Sequence, residues 1–102
     1  MCDEIDRQLG LRLRRRRRLL ALTQQQLAAR IGVRFQQVQK YESAANRMSA
    51  GMIGRIAHAL GVEVGYFYAG LERLLAPQNA KDGPPPKLQR GLGRASGRRA
   101  AI

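Results

Sequence analysis

The side chains of this chain most capable of chemistry are its cations. Nineteen Lys and Arg stand against seven Asp and Glu in 102 residues, a formal net charge of +12. Most of them are Arg, whose planar guanidinium makes paired hydrogen bonds to phosphate and to the acceptor edge of guanine. Five run consecutively, from Arg14 to Arg18. This balance draws a chain to polyanions, either nucleic acid or an anionic membrane surface. Charge alone does not distinguish reading a sequence from adhering to it. Catalysis finds no support. The sequence holds no nucleophile paired with a base, no clustered carboxylates and no glycine-rich phosphate loop, so no enzyme is expected. With Cys2 the lone cysteine and His58 the lone histidine, neither an internal disulfide nor a four-ligand Cys/His zinc site can form, and no cofactor or metal is expected.

These cations need elements to hold them, and composition divides the chain near residue 76. Pro77, Pro84, Pro85 and Pro86 all fall beyond it, with four glycines, no aromatic residue, six basic residues and one acid. Residues 77–102 cannot bury enough apolar surface to offset their chain entropy and are expected to form a disordered basic tail. Residues 7–76 are expected to fold as one domain. The longest purely apolar run is Leu19 to Leu22, far below the ~20 residues needed to span a bilayer, and the acidic N-terminus does not resemble a signal peptide. A protein of the cytoplasm, without a membrane partner, is the expectation.

Within 7–76 the apolar spacing is helical throughout, with no strand-like alternation. A first helix is expected over Arg7 to Ala21, with Leu9, Leu13 and Leu20 on its stripe. Thr23 can cap a second, Gln24 to Ile31, which Gly32 ends. A third spans Phe35 to Ser43 on Val38 and Tyr41. Ser49 caps a fourth, Ala50 to Leu60, stopped by Gly61. A short fifth near Val64 to Ala76 carries Tyr66, Phe67, Leu71, Leu74 and Leu75. The expectation is a compact all-α fold of five helices.

One junction is more specific. The second and third helices are joined only by Gly32, Val33 and Arg34, so they must cross steeply, and the residue at the crossing must be small, as Ala28 is. Counting from Gln24, the small residue is fifth, the glycine ninth, and the apolar anchors Val33, Val38 and Tyr41 tenth, fifteenth and eighteenth. Together these positions describe a helix-turn-helix, which presents its second helix to the DNA major groove.

The stretches Thr23-Gln24-Gln25-Gln26-Leu27-Ala28, Gly32-Val33, Val38-Gln39-Lys40-Tyr41-Glu42 and Ile56-Ala57-His58-Ala59-Leu60-Gly61-Val62 resemble the phage-repressor and Cro-like family known as XRE. The resemblance covers about Gly10 to Leu71. It implies a five-helix DNA-binding domain, usually a homodimer on a palindromic operator, in proteins that serve as repressors, antitoxins or other regulators of transcription. It assigns base reading to Phe35, Gln36 and Lys40, with Gln39 close by. Residue chemistry agrees: Gln pairs with adenine, Lys reaches guanine acceptors, and an aromatic edge covers a thymine methyl. For Phe35, three residues before Val38, the alternative is packing beneath the helix. The resemblance gives Gln24 a phosphate contact, sets Arg34 at the groove edge, and places Asn46 and Arg47 in a loop that meets the DNA backbone. It pairs Arg17 with Glu42 as a structural link between the first and third helices. The other four Arg of the run are then expected to face solvent, as is His58. Tyr66, Phe67 and Tyr68 are expected in the core and at a dimer contact.

The chain also departs from that pattern. Ala44 and Ala21 stand where glycine is usual, Arg15 where an apolar residue is common, and Gly51 and Gly54 interrupt the fourth helix at about 1 kcal/mol each relative to Ala. These changes predict a domain of modest stability. The reading reached is a sequence-specific DNA-binding regulator, most simply a repressor acting as a homodimer. The alternatives are an autorepressing antitoxin gripping a toxin, a non-specific basic nucleic-acid-binding protein, and an interaction module that no longer binds an operator.

Overall fold

Local signals decide where each helix begins. In the computed structural model, which describes residues 3–76, Asp3 and Asp6 form a reciprocal capping box. The Asp6 N–H donates to the Asp3 carboxylate at 3.1 Å, and the Asp3 N–H donates to the Asp6 carboxylate at 2.9 Å. This starts α1 at Glu4 rather than at Arg7, and α1 (Glu4–Leu19) ends before Ala21, which takes a left-handed φ of 58°. Thr23 and Gln26 build the same box ahead of α2 (Gln24–Ile31). α3 (Phe35–Glu42) stops one residue short of the expected Ser43. Ser49 caps α4 (Ala50–Leu60), whose helix runs unbroken through Gly51 and Gly54.

The C-terminal part differs from the expected single helix. It is a 3-10 turn, Val64–Phe67, followed by α5 (Glu72–Leu75), because Gly70 turns the chain at φ 81° between them. Leu74 and Leu75 are consequently exposed, while Phe67 and Leu71 are buried. The tail expected over 77–102 lies outside the described residues.

Among the described residues the fold is all-α. α2 packs on α3 to form the helix-turn-helix, α1 lies against α3, and α4 supports α2 from the other side. Leu9, Leu13, Leu27, Val38, Ile56, Leu60 and Phe67 meet in one core. Leu20 is not part of the α1 stripe, since it follows the last helical residue and is 39% exposed. Gly10 fixes how closely α1 can approach α3. A Cβ there would lie 2.5 Å from the Tyr41 carbonyl oxygen and 2.8 Å from that of Glu42, both rigid backbone atoms.

Candidate nucleic-acid interface

The turn that aims α3 is built from small and left-handed residues. Ala28 is buried at the crossing, Gly32 takes φ 78°, and the Gly32 and Val33 N–H groups both return to the Ala28 carbonyl. α3 then buries Val38, Tyr41 and Glu42 and leaves Gln36, Gln39 and Lys40 exposed. Gln36 and Lys40 are one turn apart on the same face. No side-chain hydrogen bond within the described residues occupies Gln36, Gln39 or Lys40. Arg34, exposed, precedes the helix without capping it, so the positive end of the α3 dipole stays open. Val33, Arg34, Gln36, Gln37, Lys40 and Tyr41 line a shallow groove along this face. Gln37 was not singled out from the sequence. Its place two before Gln39, within the same polar helix surface, was the available signal. Phe35 is half-buried and packs against the core while part of its ring stays exposed.

Behind this face sits a buried polar cluster. Arg17 donates to Glu42 through Nε at 2.6 Å and Nη2 at 3.1 Å, and its Nη1 donates to the Leu22 carbonyl at 2.7 Å. Gln24 Nε2 donates to the same carboxylate at 3.0 Å. One network therefore ties α1, α2 and α3 together. It also modifies the expectation for Gln24: its amide is held by Glu42, and only its second N–H is left for an outside acceptor.

Two further cations have partners within the fold. Arg47 donates through Nε to Asp6 Oδ2 at 3.0 Å, so this loop cation is shared with the start of α1. Burial pushes the Asp6 carboxyl up. The Asp3 N–H and the Arg47 guanidinium outweigh it, and the net shift is below the ordinary Asp value. Asn46 is exposed, and its backbone N–H closes onto the Lys40 carbonyl at 3.2 Å. Within the Arg run, Arg16 does not face solvent as expected: half-buried, it donates to the Leu60 carbonyl at 3.0 Å, capping the end of α4. Arg12, one turn earlier, points the same way onto backbone carbonyls. Arg14, Arg15 and Arg18 remain exposed, as does His58. Tyr66 and Tyr68 are half-buried against the core, with the Tyr66 and Phe67 rings edge-to-face at 5.2 Å.

A family model described as helix-turn-helix matches residues 13–67. An uncharacterized transcriptional regulator in the ATPase CF(0) region of Rhodospirillum rubrum is 52% identical over 69 residues, covering 68% of this chain and 64% of that protein. The matched stretch spans between 46% and 64% of the curated relatives' lengths. Among solved structures, the restriction-modification controller protein C.AhdI from Aeromonas hydrophila aligns at a TM-score of 0.58 with 30% identity, over 60% of this chain and 92% of that one. The P22 c2 repressor, crystallised with a synthetic operator, aligns at 0.57 over 61% of this chain and 94% of its own; at 24% identity it speaks to fold. Spacing, fold and relatives agree that the chain belongs to the XRE/Cro-like helix-turn-helix family of transcriptional regulators.

Proposed function

We propose that the protein is a sequence-specific DNA-binding regulator, a repressor in its simplest form, that inserts α3 into the major groove and binds its operator as a homodimer. The observation that carries this reading is the exposure of Gln36, Gln39 and Lys40, without side-chain partners among the described residues, along a helix whose opposite side is locked into the core. Three exposed polar groups on a rigid helix suit base edges, each good contact being worth about 1–3 kcal/mol of discrimination. Phe35, half-buried, adds its exposed edge. Gln24 through its second N–H, Arg34, Asn46 and Arg47 are the phosphate contacts, with Arg47 exchanging Asp6 for phosphate or sharing it. Self-association is supported by Val64, Leu74 and Leu75, large apolar side chains left 47%, 40% and 51% exposed on the C-terminal segment. In a two-fold dimer of this kind the half-sites lie one helical turn apart, roughly 34 Å.

Selection from random duplexes with the full chain tests the reading. Enrichment of a palindrome is the expected result, and Gln36→Ala should relax preference at one base position while leaving the salt dependence of affinity nearly unchanged. Uniform recovery of sequences, with affinity set by salt alone, would replace specific regulation with non-specific binding.

A further inference from the structure

The two glycines of α4 have no steric reason to be there. A Cβ on Gly54 would meet nothing within 4 Å, and one on Gly51 would meet only the Ser49 Oγ at 4.0 Å. Both are poor helix formers, yet α4 runs through them. Gly51, Gly54, Arg55 and His58 hold the i, i+3, i+4 and i+7 positions and so share one face of the helix. Opposite stands Arg30, in the last turn of α2. These residues line an open cleft of about 750 Å³, a size suited to a small molecule. Two missing side chains leave its floor open.

The charge of the cleft is one-sided. Arg30, Arg55 and His58 line it, and no carboxylate does. Arg30 reaches across from α2 and donates from Nη1 to the Ala59 carbonyl at 3.5 Å, beside His58, and the described residues take none of its other N–H groups. Arg55 and His58 make no side-chain hydrogen bond or ion pair among the described residues. The inward cations of α1 are matched instead, Arg17 by Glu42 and Arg16 by the Leu60 carbonyl. Two guanidiniums and an imidazole around one cleft, with no acid among them, complement an oxyanion, and guanidiniums suit phosphate through paired hydrogen bonds. The groove along α3 shares none of these residues.

We infer that this cleft binds a small phosphorylated molecule. Arg30 and Arg55 hold its phosphate from α2 and α4, His58 donates a further hydrogen bond, and the space left by Gly51 and Gly54 takes the organic part. A ligand seated there fastens α2 to α4 and so bears on the turn that aims α3. The site lies apart from the base-reading face and does not depend on an operator being read.

His58 is the lone histidine, so its imidazole gives a single NMR signal that reports on the cleft. The full-length protein is titrated with inorganic pyrophosphate at fixed ionic strength, followed by that signal and by calorimetry. One saturable site is expected, with the His58 signal shifting in step. Arg30→Gln and Arg55→Gln should each weaken binding about tenfold, as loss of a charge-assisted pair implies. Gly54→Met fills the cleft and should weaken binding at least as much without lowering the melting temperature, since Met is the better helix former. Arg14→Gln, which removes an exposed charge from α1, should stay within about twofold of wild type. Equal weakening in Arg14→Gln and Arg55→Gln overturns the inference, because attraction would then follow net charge alone. So does a titration that never saturates, or a His58 signal that stays still while pyrophosphate binds. A final arm adds duplex DNA. Pyrophosphate binding that persists on the DNA-bound protein supports a separate ligand site. Displacement by the duplex, with an equal loss of duplex affinity in Arg55→Gln, assigns these cations to the DNA backbone and overturns it.

Discussion

Glu42 shows how much one carboxylate can do in a small domain. It accepts from Arg17 twice and from Gln24 once, and its side chain is only 5% exposed. Such a cluster adds little over a well-packed apolar one, but removing a single member leaves the remaining charge stranded. Glu42→Ala should therefore cost on the order of 3–5 kcal/mol. Urea unfolding would measure it, and a loss below about 1 kcal/mol would mean that Arg17 finds water or another acceptor. The same residue reaches the candidate interface through Gln24, whose amide it orients. Gln36 is the opposite case. It is exposed and has no bond to lose, so its replacement should change base preference and leave stability alone.

At the level of elements, three helix ends share one hydrogen-bonded turn. α1, α2 and α4 all finish by sending an N–H back across five residues: Leu22 to Arg17, Val33 to Ala28 and Val62 to Ala57. Gly32 and Gly61 take the left-handed position in two of these turns, but Ala21 takes it in the first, and Ala44 does so after α3, at φ 58° and 63°. An L side chain there costs roughly 1–2 kcal/mol, part of which glycine would forfeit to unfolded-state entropy. Ala21→Gly and Ala44→Gly should each raise stability by up to about 1 kcal/mol, visible as a higher melting temperature; no gain from either would show that the strain is relieved locally. The start of α1 adds an acid-sensitive contact. Because the folded-state value of Asp6 lies below its unfolded value of about 3.9, its contribution is complete above that pH and fades as pH falls through the lower, folded value. A melting series from about pH 6 to about pH 3 should slope more steeply for wild type than for Asp6→Asn.

For the whole molecule, the net charge of +12 resolves into separate populations. Arg12, Arg16 and Arg17 are turned inward onto carbonyls and a carboxylate, and Arg47 is shared with Asp6. Arg14, Arg15 and Arg18 stay exposed on α1. Residues 77–102 carry six basic residues and one acid. If these act on phosphate without reading bases, a chain ended at residue 76 should keep the base preference of the full chain. Its affinity should then fall less steeply with salt, by about 0.9 in logarithmic slope for each phosphate no longer neutralised. Equal slopes for the two chains would remove the C-terminal stretch from the interface.

The helix-turn-helix was legible in the order of residues because its determinants are local. A cap at Thr23, a small residue at Ala28, a left-handed Gly32 and an apolar Val38–Tyr41 pair fix a steep crossing over fewer than twenty positions. α2 and α4 consequently ran as the sequence predicts. Leu20, the broken C-terminal segment and the inward turn of Arg12 and Arg16 were not legible, since each depends on contacts between residues far apart in the chain. Neither Arg12 nor Arg16 has a local reason to choose carbonyls 44 to 57 residues away over solvent. That choice is made only when α1, the 3-10 turn and the end of α4 are brought together and unpaired carbonyls must find a donor. Sequence thus determined the turn that sets α3 against α2, and tertiary structure decided which cations stay exposed.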